Sequence, residues 1–201
     1  MSCECTQASA KTESERKTLR IALSLNATMF VVGVIAGLLA DSTGLLADAL
    51  DMLADAVAYG LALMAFSRGP AFKKNAARWI GGVLVLLGAG IVAETVRRWF
   101  YGSEPVGWVM MAYSAVSFAV NLFVLTQLAK YRQGQVHINA TYICTRADVL
   151  ANIGIFVSGA IVAATGVHIV DLIAGFAIGV YVAKEAGEIL RESGGSDPSS
   201  A

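Results

Sequence analysis

Leu45-Leu46-Ala47-Asp48-Ala49-Leu50-Asp51-Met52-Leu53-Ala54-Asp55-Ala56 lies in a stretch apolar enough to cross a bilayer, yet it carries three carboxylates. Asp48, Asp51 and Asp55 fall at i, i+3 and i+7, so in a helix they share one stripe. An ionised carboxylate at the bilayer centre costs roughly 2.5–3.5 kcal/mol on insertion scales, so acids are seldom placed there for packing. A second apolar stretch, Thr141-Tyr142-Ile143-Cys144-Thr145-Arg146-Ala147-Asp148-Val149-Leu150-Ala151-Asn152, repeats the i, i+4 spacing with Cys144 and Asp148. Each pair, Asp51 with Asp55 and Cys144 with Asp148, presents two donors from one helix face. Side by side, two such helices offer a four-donor set suited to a divalent cation.

The rest of the chain sets the solvent in which that chemistry works. Of 201 residues, 56% are hydrophobic and only 15% are charged, and the mean hydropathy is +0.63. This composition is too apolar for an ordinary soluble domain and points to an all-α membrane protein. The formal net charge of zero gives no basis for nucleic-acid binding. Cys3, Cys5 and Cys144 do not make a disulfide framework. The polar stretch 1–18 precedes an apolar run too long for a signal-peptide core and without a small-residue cleavage pattern, so it reads as a retained first span.

A spanning helix needs about 20 mostly apolar residues. Six segments meet that length, at 19–40, 44–67, 77–98, 107–129, 140–164 and 168–188, within a transmembrane region of residues 19–190. Turn-forming residues separate them, among them Asp41-Ser42-Thr43-Gly44 and Gly102-Ser103-Glu104-Pro105. Trp79, Trp99, Tyr101, Trp108 and Tyr131 fall near segment ends, as an aromatic belt requires. With the N-terminus inside, twelve basic residues face the cytoplasm and only Arg97 and Arg98 face outward, so the positive-inside rule places both termini in the cytoplasm. Residues 191–201 are Ser-, Gly- and Pro-rich and are expected to form a disordered cytoplasmic tail.

The remaining intramembrane polar residues have two readings each. Asp48 lies close to the first loop and is either an accessory to the site or an interfacial, hydrogen-bonded acid. Asn26, Asn121 and Asn152 are accessory candidates, with interhelical hydrogen bonding as the alternative. Cys144 is either a soft-metal ligand or a small apolar residue. Arg146 lies about 200° around the helix from each candidate ligand; it snorkels, pairs with another helix, or turns inward and opposes the cation. Cys3 and Cys5 form a Cys-x-Cys that, with His137, is a candidate for metal capture at the cytoplasmic side. His168, beside Asp171, reads as peripheral.

The stretch Leu45–Asp55 resembles the second span of the cation diffusion facilitator family of divalent-metal transporters, Leu-Leu-Ala-Asp-Ala-x-His-Met-x-x-Asp, with Asp51 at the histidine position. Cys144-x-x-x-Asp148 resembles the family's fifth-span His-x-x-x-Asp. Asn26, Arg78, Asn121 and Asp171 extend the similarity over roughly residues 17–192. The resemblance implies that spans two and five meet at one tetrahedral site whose ligands are Asp51, Asp55, Cys144 and Asp148. It also implies alternating access with exchange of metal for protons, and metal as cargo rather than prosthetic group.

Two departures from the pattern matter. Both usual histidines are replaced, so zinc leads only by family weight over cadmium, cobalt and iron. The family's C-terminal cytoplasmic domain is absent from this sequence, which makes the expected protein a short form whose homodimer, if formed, uses membrane helices. The sequence therefore predicts a multi-pass efflux transporter of a prokaryotic inner membrane. The alternative is a non-transporting relative acting as metal sensor, scaffold or partner subunit. No Ser/His or Cys/His constellation with a base supports an enzyme.

Overall fold

The computed structural model describes residues 13–64, 70–129 and 136–194; within its helices, the side chains of residues 70–74, 77, 136–147 and 192–194 are not described. Six helices account for nearly all of it: α1 (Glu13–Leu39), α2 (Thr43–Met64), α3 (Pro70–Tyr101), α4 (Gly107–Ala129), α5 (Val136–Thr165) and α6 (Ile169–Gly194). There is no strand among the described residues.

Four of the helices are long and apolar enough to cross a membrane: α1, the Arg78–Tyr101 part of α3, α4, and the Asp148–Thr165 part of α5. Only 22% to 33% of their most apolar windows is buried inside the protein. The surface they leave open is built from Val31, Ile35, Leu38, Leu86, Leu122, Phe123, Leu150 and Phe156. A continuous apolar exterior of this kind suits lipid, not water. Trp99, Tyr101 and Trp108 stand exposed at one end of the bundle, and Trp79 lies exposed near the other end of α3.

α2 and α6 differ from the other four. Every lipid-length window of α2 includes Asp48, Asp51 and Asp55, and α6 carries Asp171, Lys184 and Glu185. α2 avoids lipid by occupying the centre, where it touches each of the other five helices. Fifteen of its 22 residues are buried, against seven of 27 in α1. Ala47, Ala49, Ala54, Ala56, Ala58 and Ala62 are among them, and such small side chains let neighbouring backbones approach closely. At the α1 crossing, a Cβ on Gly33 would lie only 2.9 Å from Ala49 Cβ and 2.8 Å from the Tyr113 ring, so no larger residue fits.

Several helices extend well beyond the hydropathy segments. α1 starts at Glu13, α3 at Pro70 and α5 at Val136, and α6 runs to Gly194, so residues 191–194 are helical rather than tail. Hydropathy marks where a chain enters lipid, whereas a helix continues through its polar flanking turns. Pro70 begins α3 where its missing N–H costs nothing.

Candidate metal site

The site begins with how α2 is held. Ser42 Oγ donates to Asp171 Oδ1 (2.6 Å), Thr43 N to Asp171 Oδ2 (2.9 Å) and Gly44 N to Asp171 Oδ1 (3.1 Å). Thr43 Oγ1 adds a 3.2 Å bond to Oδ2, and Leu45 N donates to Ser42 Oγ (3.1 Å). Ser42 is thus the N-cap residue of α2, while a carboxylate from α6 satisfies the N–H groups that a helix start leaves orphaned. Its charge also complements the positive end of the helix dipole. Gly175 makes the approach possible, because a Cβ there would lie 2.6 Å from Thr43 Oγ1. Beside this cap, Asp41 adopts φ 48°, pairs with Arg98 (2.8 Å) and accepts from Glu104 N (3.0 Å).

From that anchored start the acidic stripe descends into the bundle. Asp48 is 1% exposed, and its Oδ2 accepts from Ser117 Oγ of α4 (3.1 Å), with the Tyr113 hydroxyl as a further partner. Asp48 is thus a hydrogen-bonded acid within the bundle. Asp51 is buried and Asp55 partly so, and both interact with Asp148 of α5 at carboxyl–carboxyl hydrogen-bonding range. Tyr59, one turn below, is a partner of Asp55. Asp148 itself is 4% exposed, and its Oδ2 has no hydrogen-bond partner.

The carboxylates meet as pairs. Among the described residues, no group of three or more His, Cys, Asp or Glu closes into a ready cage. Cys144 and Arg146 lie in the helical backbone of α5, but their side chains are outside those described, as is that of His137; Cys3 and Cys5 lie outside the described residues altogether.

The three asparagines are all buried, but they do not make the expected interhelical bonds. Asn26 Nδ2 donates to Ala22 O (3.0 Å) and Asn152 Nδ2 to Asp148 O (2.8 Å), each within its own helix. Their Oδ1 atoms, and both amide atoms of Asn121, have no hydrogen-bond partner. Packing places these amides at the depth of the acids. Ala22, Tyr59 and Val124 share one apolar cluster, while Met29, Met52 and Tyr113 belong to the next. Asn26, Asp55 and Asn121 fall in sequence between those two layers.

Two contributors escaped the sequence reading. Asp171 was visible as an acid near His168 and as one point of the family similarity, but its capping role was not, because its partners are about 128 residues distant. Glu185, half-buried on α6 and bonded to Tyr181 (2.8 Å), interacts electrostatically with Asp51, Asp55 and Asp148. Its only local signal was the i, i+4 spacing from Tyr181.

A lipid-facing helical bundle that buries an acidic helix at its centre defines a multi-pass membrane protein with a polar interior. Residues 19–196 match the cation efflux transmembrane domain, and the chain belongs to that family, the cation diffusion facilitators. It is 27% identical over 194 residues to the zinc transporter ZitB of Yersinia pseudotuberculosis, covering 90% of this chain and 62% of the relative. ZitB of Yersinia pestis matches equally. The metal cation efflux system protein CzcD of Cupriavidus metallidurans is 25% identical over 189 residues, covering 88% of this chain and 60% of the relative. The chain thus spans about 60% of the length of these relatives. The family is one of transport proteins rather than enzymes.

Proposed function

We propose that this protein carries a divalent metal cation out of the cytoplasm in exchange for protons, through one intramembrane site between α2 and α5. Asp51, Asp55, Cys144 and Asp148 bind the cation. All six helices span the inner membrane of a prokaryote with both termini in the cytoplasm, an orientation supported by the excess of basic residues on that side. The observation that carries the reading is the approach of Asp51 and Asp55, on the central helix, to Asp148, whose Oδ2 is buried and unpartnered. A buried carboxylate oxygen without a donor is costly unless a cation complements it. Zinc, which ZitB carries by name, leads among the cargo candidates, followed by cadmium, cobalt and iron.

Metal ligands must be deprotonated to bind, so loading a cation releases protons and returning protons expel it. Asp48, Asn26, Asn121 and Asn152 shape the surroundings of the site rather than ligate. The test is flux of zinc, cadmium, cobalt and iron in liposomes holding the purified protein. Wild type moves metal against an opposing proton flux, whereas Asp55→Asn and Asp148→Asn reconstitute normally and move none. Equal flux in wild type and Asp148→Asn for every metal would falsify the site. No flux together with metal-dependent capture of a partner would favour the sensor or scaffold reading.

A further inference from the structure

We propose that Glu185 is a further metal-binding carboxylate, reaching the site from α6, and that it turns the site toward six-coordinate, oxygen-preferring divalent cations such as manganese. The inference rests on the metal-transport reading above and deepens it by naming a cargo class. α6 packs on α2, α3 and α5, which brings a third helix to the α2–α5 contact. Ala186 shares a small apolar cluster with Ala54 and Leu84, so the residue before it, Glu185, stands at the level of Ala54 and Asp55. The Tyr181 hydroxyl donates to Glu185 Oε1 (2.8 Å), fixing one carboxylate oxygen and leaving Oε2 free of that bond. Lys184, its exposed neighbour, acts on Glu185 only through space, and Glu188 lies one turn on.

Glu185 is close enough for its charge to act on Asp51, Asp55 and Asp148 alike. An independent observation points to a ligand there. Asp148 is 4% exposed and holds a partnerless Oδ2, although it faces these acids. A group of acids around a buried, undonated carboxylate oxygen is complemented by protons or by a cation, and a divalent cation serves several of the acids at once. Asp51 and Asp55 reach Asp148, while Glu185 acts on all three through space from a third helix, so a bound cation would draw the four together. With Glu185 added to the proposed Asp51, Asp55, Cys144 and Asp148 set, the site holds more donors than a tetrahedral ion uses. The added oxygens shift it away from zinc, which favours nitrogen and sulfur. Carboxylate-rich, six-coordinate sites suit manganese and similar hard ions.

The experiment is a titration of the purified protein with manganese, cobalt, zinc and cadmium, comparing wild type, Glu185→Gln, Tyr181→Phe and Asp148→Asn. Glu185→Gln keeps the shape and an acceptor for Tyr181 but removes the charge. It should weaken manganese binding by about tenfold or more, in the range seen when metal-site partners are lost, and change zinc binding less. Tyr181→Phe should shift the manganese-to-zinc ratio in the same direction by a smaller factor, and the spectrum of bound manganese should change in both variants. An unchanged ratio and spectrum in folded Glu185→Gln overturns the proposal. If that variant fails to fold, an unchanged ratio and spectrum in Tyr181→Phe does so instead. Asp148→Asn separates the two readings: if it abolishes binding while Glu185→Gln has no effect, only the role of Glu185 falls. If wild type binds none of the metals, both readings fall.

Discussion

Asp171 holds the start of α2 from about 128 residues away. Its two oxygens accept from Ser42, Thr43 and Gly44, and three of these bonds are 3.1 Å or shorter. Removing the carboxylate would strand two backbone N–H groups at a buried helix start, where water cannot replace it. An N-cap is worth about 1 kcal/mol and a hydrogen bond to a charged group about 1.5–3 kcal/mol. Asp171→Ala should therefore destabilise the protein by about 2–4 kcal/mol, with Asp171→Asn intermediate because one acceptor survives. Thermal unfolding in detergent checks this, and an Asp171→Ala midpoint equal to wild type would contradict the capping role. The acids of the site obey the same accounting with different partners. Asp48 is answered by Ser117 and Tyr113, whereas Asp148 Oδ2 has no hydrogen-bond partner among the described residues.

Among the elements, α2 is the one whose sequence and position explain each other. Its acids exclude it from lipid, and its alanines let five helices close around it. Gly33 is a tight point of the α1 crossing, wedged between Ala49 and Tyr113. Gly33→Val should cost about 1–3 kcal/mol through overpacking. It should also displace the Tyr113 hydroxyl, which donates to Met29 O (3.3 Å) and partners Asp48. A wild-type melting midpoint in Gly33→Val would show that α1 can shift without penalty. The six helices were legible in the sequence because long, largely apolar stretches separated by turn residues admit little else. Their ends were less so, since the basic turn of α3 and the last turn of α6 are helical without being apolar. The acidic stripe of α2 was also legible, because i, i+3 and i+7 spacing is local. The cap from Asp171 and the approach of Glu185 were not, because each depends on which helices are neighbours, and local spacing carries no such information. The expected amide bonds failed for a related reason: Asn26 and Asn152 find carbonyls on their own helices at i−4.

The whole molecule places a cluster of acids inside a shell that faces lipid, and on the proposed function this arrangement would couple metal to protons without any further device. Repulsion among Asp51, Asp55, Asp148 and Glu185 in a poorly hydrated interior is relieved by protons or by a divalent cation. The two therefore compete for the same oxygens. The sign follows directly: lowering the pH fills the carboxylates with protons and weakens metal binding, while raising it does the reverse. Where the site is protonated, apparent affinity should fall about tenfold per pH unit for each proton displaced. Two displaced protons would give about a hundredfold loss per unit, and removing one participating acid should lower that slope by one proton. Metal titrations at several pH values, with proton release followed in weak buffer, measure the slope directly. Asp55→Asn, should it retain any binding, is expected to show the shallower slope. An affinity that does not vary with pH would separate metal binding from these carboxylates and remove the physical basis for antiport. A slope preserved in Asp55→Asn would instead assign the displaced protons to the remaining acids of the cluster.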